Sequence, residues 1–330
     1  VTSTRTLLHE AIPLTGTIAS GTYTDANIKT YSHGMFESVY DYPYLSSSAN
    51  HIFDITTGYA SDSTLSSSAS IQNSKKLNIY SQMAQVLVGY DATGSIQSFD
   101  QDGDIAAGGT KIREALFVNF SRLLSKDEIK KGSFSIGLTT GGTSAAPVTN
   151  LTIADHGAAD SYKVNSPAGE YGILYTSSAT PNSASGVGLV YYQAGVAVLT
   201  GSNFAASTMG TGVTVATGYS AIATGSTIEV MANCFRNRLT NVSFNNTVEL
   251  NSTVYFCRAS HNEFNYSNNP TYLSESQIRV KNSTTDNPVS YVTTVGLYSS
   301  DNELLAVAKL SEPLKKDPST EVTLRVRLDF

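Results

Sequence analysis

Gly188-Leu189-Val190-Tyr191-Tyr192-Gln193-Ala194-Gly195-Val196-Ala197-Val198-Leu199-Thr200 is the stretch that decides the fold class. It is dense in β-branched and aromatic residues and carries no charge. It reads as one strand from Gly188 to Thr200, with Gly195 marking a bulge. The uncharged run extends well beyond it, since no Asp, Glu, Lys or Arg occurs from Tyr171 through Ile228. Ser, Thr, Gly and Asn interrupt that run throughout, so it is not a membrane span. Glu170 to Thr176 reads as a second strand. The long polar loops between and after these strands hold no charge, which is unusual for a solvated surface. They are therefore expected to bury against a neighbouring subunit. Tyr191, Tyr192, Val196 and Val198 are the candidate interface residues of this region.

The whole chain supports a β-rich reading. Its 330 residues carry a formal net charge of −6, and only 15% are charged. Ser and Thr make up about a quarter of the residues, a composition that leans towards strands and turns. The acidic balance argues against nucleic acid as the main partner, because phosphate binding needs clustered Lys and Arg. The opening residues Val1 to Arg5 lack the apolar core of a secretion signal and fit loss of an initiator Met. The two cysteines, Cys234 and Cys257, are accordingly expected to be free thiols.

Helical signal concentrates in the N-terminal part. Leu77, Tyr80, Met83, Ala84 and Leu87 recur at helical spacing, predicting a helix over 75–88 that stops at Gly89. Ile112, Leu116, Phe120, Leu123 and Leu124 give the same reading over 111–124. Ser125-Lys126-Asp127-Glu128 is a capping-box pattern, so a further short helix is expected to end at Gly132. Met35 to Tyr44 is aromatic-rich and reads as partly extended, and Asn50 to Gly58 reads as a short apolar segment between Ser-rich loops. In the C-terminal part, 248–258, 277–281, 291–298 and 303–310 read as strands. Ser299-Ser300-Asp301-Asn302 is the turn of a hairpin. Val322, Leu324, Val326, Leu328 and Phe330 alternate with Thr323, Arg325, Arg327 and Asp329, the pattern of a half-buried strand. The expected fold is mainly β with a few helices: an antiparallel β-sandwich-like body with two to three short helices in the N-terminal half. Three stretches follow: a helix-containing part over 1–135, a charge-poor β region over 136–230 and a C-terminal β part over 231–330.

Chemistry-bearing motifs are weak. Asp100, Asp102 and Asp104 alternate like calcium-loop ligands, but Ile105 and Lys111 stand where an EF-hand needs Gly and Glu. They are the weak metal candidates. Gly142-Thr143-Ser144-Ala145-Ala146-Pro147 resembles a subtilisin-type nucleophile string, yet lacks one residue before the Pro and an upstream His-Gly. His33 and His51 lie among aromatic and apolar neighbours and read as buried, hydrogen-bonded histidines. No phosphate loop, zinc spacing or cofactor fingerprint occurs, so no cofactor and no enzymatic role are expected. Tyr40, Tyr42, Tyr44, Phe264 and Tyr266 are exposed-aromatic candidates for glycan or subunit contacts.

Several strings carry a resemblance. They are Gly188 to Leu199, Tyr255-Phe256-Cys257-Arg258-Ala259, and His261-Asn262-Glu263-Phe264-Asn265-Tyr266-Ser267-Asn268-Asn269-Pro270. Val295-Gly296-Leu297-Tyr298, Glu303 to Leu310, Asp54-Ile55-Thr56 and Lys111-Ile112-Arg113-Glu114 complete the set. Together they resemble virion structural proteins of contractile-tailed bacteriophages, especially marine and cyanobacterial ones. The resemblance implies a part of the tail, baseplate or neck, located in the virion and assembled in the host cytoplasm. It implies no catalytic residues. The expected partners are other virion proteins and further copies of this chain in threefold or sixfold rings, with no membrane contact. Phe264 and Tyr266 join the candidate interface residues as an aromatic run of the kind that protein–protein interfaces favour.

Overall fold

The computed structural model describes residues 2–8, 25–67, 71–104, 108–143, 146–176, 186–204, 223, 226–266, 273–274, 277–278 and 288–329. The fold is mainly β, as expected. It divides into two compact units, one of residues 8–248 and one of residues 1–7 with 249–330. Strands from both sides of residue 136 share one sheet, so the larger unit is continuous across that point.

The larger unit is built on an eleven-stranded antiparallel sheet. Its strands in chain order are β1 (Ile28–Thr30), β2 (Glu37–Tyr40), β3 (His51–Tyr59), β4 (Glu114–Phe120), β5 (Ser135–Thr143) and β6 (Ala146–Ala154). They continue as β7 (Lys163–Ser166), β8 (Gly169–Tyr175), β9 (Gly186–Tyr191), β10 (Val196–Thr200) and β11 (Leu239–Ser243). The spatial order is β11-β5-β6-β8-β9-β10-β4-β3-β2-β1, with β7 on β8. The seam between β6 and β8 is narrow, with Ala154 opposite Tyr175 as its register pair. Ile136, Leu138, Ile153 and Val242 from one side of the seam share a core cluster with Val39, Phe53, Leu116, Val118 and Leu199 from the other. The sheet thus folds over on itself, which gives the sandwich-like body expected from the sequence.

The opposite face of the central strands is buried as well. Ala115, Phe117, Leu189, Val196 and Val198 form a second cluster with Ile79, Tyr80, Ala84 and Leu87. Those last four belong to helix α1, which spans Ile71–Leu87. Burial of the Val, Leu, Ile and Phe side chains among them contributes roughly 1.5–3 kcal/mol each. Helix α1 ends as its sequence predicts. Gly89 takes φ +90°, and its N–H donates to the Ala84 carbonyl at 2.9 Å.

Four expectations need correction. The helix over 111–124 is replaced by a short strand, Lys111–Ile112, then β4, then one helical turn at Arg122–Ser125. Ile112, Leu116 and Phe120 stand four apart, a spacing that keeps residues on one face of a strand as well as of a helix. Both faces of β4 are buried, so the polar alternation that separates the two readings is missing. The capping box fails too. Ser125 closes a turn, Lys126 takes φ +51°, and Glu128–Ile129 forms a strand against Asn246–Thr247. The Glu128 carboxylate goes to Lys131 at 2.9 Å instead of back to the backbone at residue 125. The single strand over 188–200 is a hairpin: β9 and β10 pair antiparallel, and Gly195 at φ +67° sits in the connection. Finally, Ile228–Arg236 forms helix α2, in a stretch read as β. Thr227 caps it, accepting from the Val230 N–H at 3.2 Å.

Gly58 determines how closely α1 lies on the sheet. A Cβ there would stand 2.6 Å from the Lys76 carbonyl and 2.8 Å from the Tyr80 nitrogen, and both are backbone atoms that cannot move aside. Gly58→Ala is expected to lower stability by about 1–3 kcal/mol, measured by urea denaturation; an unchanged midpoint would refute this packing account.

Candidate interaction surface

The structure separates the six candidate interface residues into two groups. Tyr191, Tyr192, Val196 and Val198 lie in the interior of the larger unit, exposed by 6% or less. Their assignment to a subunit interface is therefore corrected. The physical reason is that β9 and β10 lie mid-sheet with both faces covered, so absence of charge reflects a two-sided core. Tyr171 stacks on Tyr191, ring centroids 5.0 Å apart. The uncharged loops over 177–185 and 205–222 lie outside the described residues. Phe264 and Tyr266 are exposed, on the C-terminal unit.

Tyr192 belongs to a buried polar network. Its hydroxyl donates to Asp155 at 3.0 Å, and the same carboxylate accepts from the Gly132 and Phe134 amides at 2.7 and 3.0 Å. Burial pushes the Asp155 carboxyl up to about 6, against the pull of those three donors. Close by, Lys131 is clamped between Glu128 and Glu170 and lies 4.7 Å from the Tyr162 ring centre. These groups pin the turn around Gly132 to β8 and β9. Each carboxylate is held by donors of the fold, an arrangement that braces a bend.

The acidic loop is real as a cluster. Ligand atoms of Asp100, Asp102 and Asp104 all lie within 4.8 Å of one another. Asp100 is buried and ion-paired with Lys111. The Asp102 N–H donates to Asp100 at 3.1 Å and the Asp104 N–H to Asp102 at 3.3 Å. The Lys111 ammonium and these amides already satisfy much of the carboxylate charge. Tyr171 and Asn165 hold the loop through the Gly103 carbonyl. A hard divalent cation is the chemistry three such carboxylates would suit, in competition with Lys111.

Ser144 lies outside the described residues. Its flanks are β5 and β6, with Thr143 opposite Ala146, so the string joins two strands where the protease motif precedes a helix. His33 is exposed, against the buried reading, because it sits in the turn before β2. Its Nδ1 accepts from the Met35 N–H at 3.1 Å. His51 pairs with Asp54 at 2.8 Å. Cys234 is buried, Cys257 is partly buried, and both are free thiols.

The C-terminal unit differs in kind from the larger one. Its strands are β12 (Asn246–Ala259, shared at its start with the larger unit), β13 (Ser290–Tyr298), β14 (Leu304–Lys316) and β15 (Val322–Asp329). β12 pairs with β15 and with the N-terminal strand Thr2–Leu8, while β13 pairs with β14 as a hairpin. The turn at 299–302 forms as its sequence predicts, with the Asn302 N–H donating to the Ser299 carbonyl at 3.2 Å. Among the described residues, neither buried apolar cluster contains any residue of this unit. A cavity of about 300 Å³ remains between its layers, lined by Cys257, Phe264, Val292, Val295, Val322 and Leu324. Phe256, Phe264, Tyr266, Tyr291, Tyr298, Leu304, Leu305 and Val307 are all exposed on it. Sequence reasoning missed most of these residues. The signal that finds them is an apolar side chain on the polar phase of a strand, as at Phe256 and Val307.

No family model, no curated protein and no solved structure matches this chain.

Val198→Lys is expected to abolish cooperative unfolding, followed by circular dichroism, because the charge would enter a two-sided core; a folded, monomeric variant would return Val198 to the surface. The raised Asp155 pKa carries a sign. The folded state holds the proton more tightly than the unfolded chain, so this group's contribution is full below about pH 4 and is lost as pH rises through about 6. Asp155→Asn should remove that slope, worth about 3 kcal/mol at most. Denaturation at pH 4.5 and 7 tests it, and parallel pH profiles of the two proteins would contradict it.

Proposed function

We propose that this chain is a non-enzymatic structural subunit of a tailed bacteriophage particle, in its tail, baseplate or neck. Its work is to hold subunits together, with other virion proteins and copies of itself as partners. The observation that carries the reading is the C-terminal unit. Its described part lacks a buried apolar cluster of its own and presents eight large apolar side chains to solvent. Isolated exposed hydrophobics are ordinary, whereas a concentration on one unit marks an interaction surface. Burial against a partner would supply the layer the unit lacks. The resemblance of residues 188–330 to phage structural proteins supports the same reading.

A receptor- or glycan-binding role in the same particle is the second reading. Exposed Tyr42 and Tyr44, with Tyr40 6.4 Å from Tyr44, favour it. A sugar platform uses such rings, although the protein has no Trp.

The assembly reading is tested on particles. Density-banded tailed particles from the source population are expected to contain this chain at a copy number that is a multiple of three, by quantitative peptide mass spectrometry. Its absence from banded particles would overturn the reading, and retention of the purified chain on host glycans would then favour the second.

A further inference from the structure

The cavity in the C-terminal unit is larger than close packing leaves. It holds about 300 Å³, whereas voids bigger than a water molecule are few in protein interiors. Two layers of the unit enclose it. Antiparallel register sets Cys257 opposite Leu324 and Ala259 opposite Val322 in the β12–β15 pair. Val292 and Val295 of β13 line it from the hairpin.

The charged groups at its wall are already engaged. Lys316 lines the cavity and is buried. Its ammonium donates to the His261 carbonyl, to Asn265 Oδ1 and to the Asp317 carbonyl at 3.3, 2.7 and 3.0 Å. Those bonds use its three N–H groups, which leaves the methylene stem to the cavity. Arg258 also lines the cavity, and Glu321 engages its guanidinium. Among the described residues no Asp or Glu lines the space. A hydrocarbon is therefore the better occupant, since a buried charge needs a partner and these are taken.

Phe264 stands at the mouth, because it lines the cavity and is also 67% exposed. Its φ of +52° is a left-handed backbone, which is costly for a bulky side chain. The Ser290 hydroxyl donates to its carbonyl, and the Lys316 bonds to His261 and Asn265 hold the turn on either side. The strained residue at the entrance is thus fixed by the cavity wall itself.

We propose that this cavity binds a small uncharged ligand with an aliphatic chain of about eight carbons. A dry cavity of about 150 Å³ holds benzene, so one of about 300 Å³ admits a longer chain. The drive is removal of hydrocarbon from water. A bound chain supplies the apolar core that the described part of this unit lacks. The site is lined from within one copy, so it goes beyond the assembly reading and stands without it.

Thiol labelling of the full chain tests the site, with n-octanol as the probe. Cys257 is the reactive thiol, because Cys234 is 1% exposed and burial pushes its thiol up to about 11. A Cys257→Ser control confirms which thiol is read. At octanol ten times its Kd, Cys257 is expected to react about tenfold more slowly. Octanoate at neutral pH should protect less. Ala259→Leu, on the sheet, and Val295→Phe, on the hairpin, should each fill the space and abolish protection, with the circular dichroism of wild type retained. Absence of saturable protection up to the solubility of octanol would overturn the proposal. So would stronger protection by octanoate, or protection that survives in both filled variants. Protection that rises with protein concentration in the absence of probe would also overturn it, in favour of an apolar side chain of a second copy seated in the cavity.

Discussion

The structure depends on the pairing of β4 with β10, through Ala115 to Asn119 and Val196 to Thr200. These strands lie mid-sheet and are covered on both sides. Leu116, Val118, Ala197 and Leu199 face the fold-over of the sheet, and Phe117, Val196 and Val198 face α1. A strand in that position cannot carry a charge on either phase without leaving it unsolvated. The absence of charge from β9 and β10 follows from this constraint. So does the need for Gly58, since α1 must approach the sheet closely enough to exclude water from the Phe117 side.

The fold-over brings polar groups inside and has to satisfy them. Asp155, placed after β6, takes two backbone amides and the Tyr192 hydroxyl where the sheet bends. Lys131 sits between two carboxylates, an arrangement in which removing one partner costs more than the pair contributes. Lys76 is likewise buried, its ammonium donating to the carbonyls of Ala223 and Ser226, which fixes the chain just before α2. Such polar struts specify one arrangement of the layers, a task that apolar packing alone performs loosely.

The two units divide the labour. The larger one buries two apolar clusters, one on each face of its central strands. The C-terminal one leaves its apolar faces half-covered, with a cavity between its layers and aromatic and aliphatic side chains outside. An obligate interface resembles a core cut in two, and the proposed assembly role rests on that likeness.

Much was legible in the residues alone. Strand content, helix α1 with its Gly89 stop, the 299–302 turn and the alternating strand 322–329 follow from local rules of period, turn chemistry and capping that hold whatever packs around them. The three aspartates were legible as a cluster for the same reason. Tertiary structure alone decided what the uncharged strands β9 and β10 are for. A two-sided core strand and a buried interface strand share one composition, and only the covering layers distinguish Val198 in a core from Val198 in an interface. The same ambiguity turned β4 into an expected helix, since residues four apart share a face in both forms. Conversely, Phe256 became a surface residue only when the register with Arg325 placed its phase of the strand outward, because exposure is a property of what lies opposite.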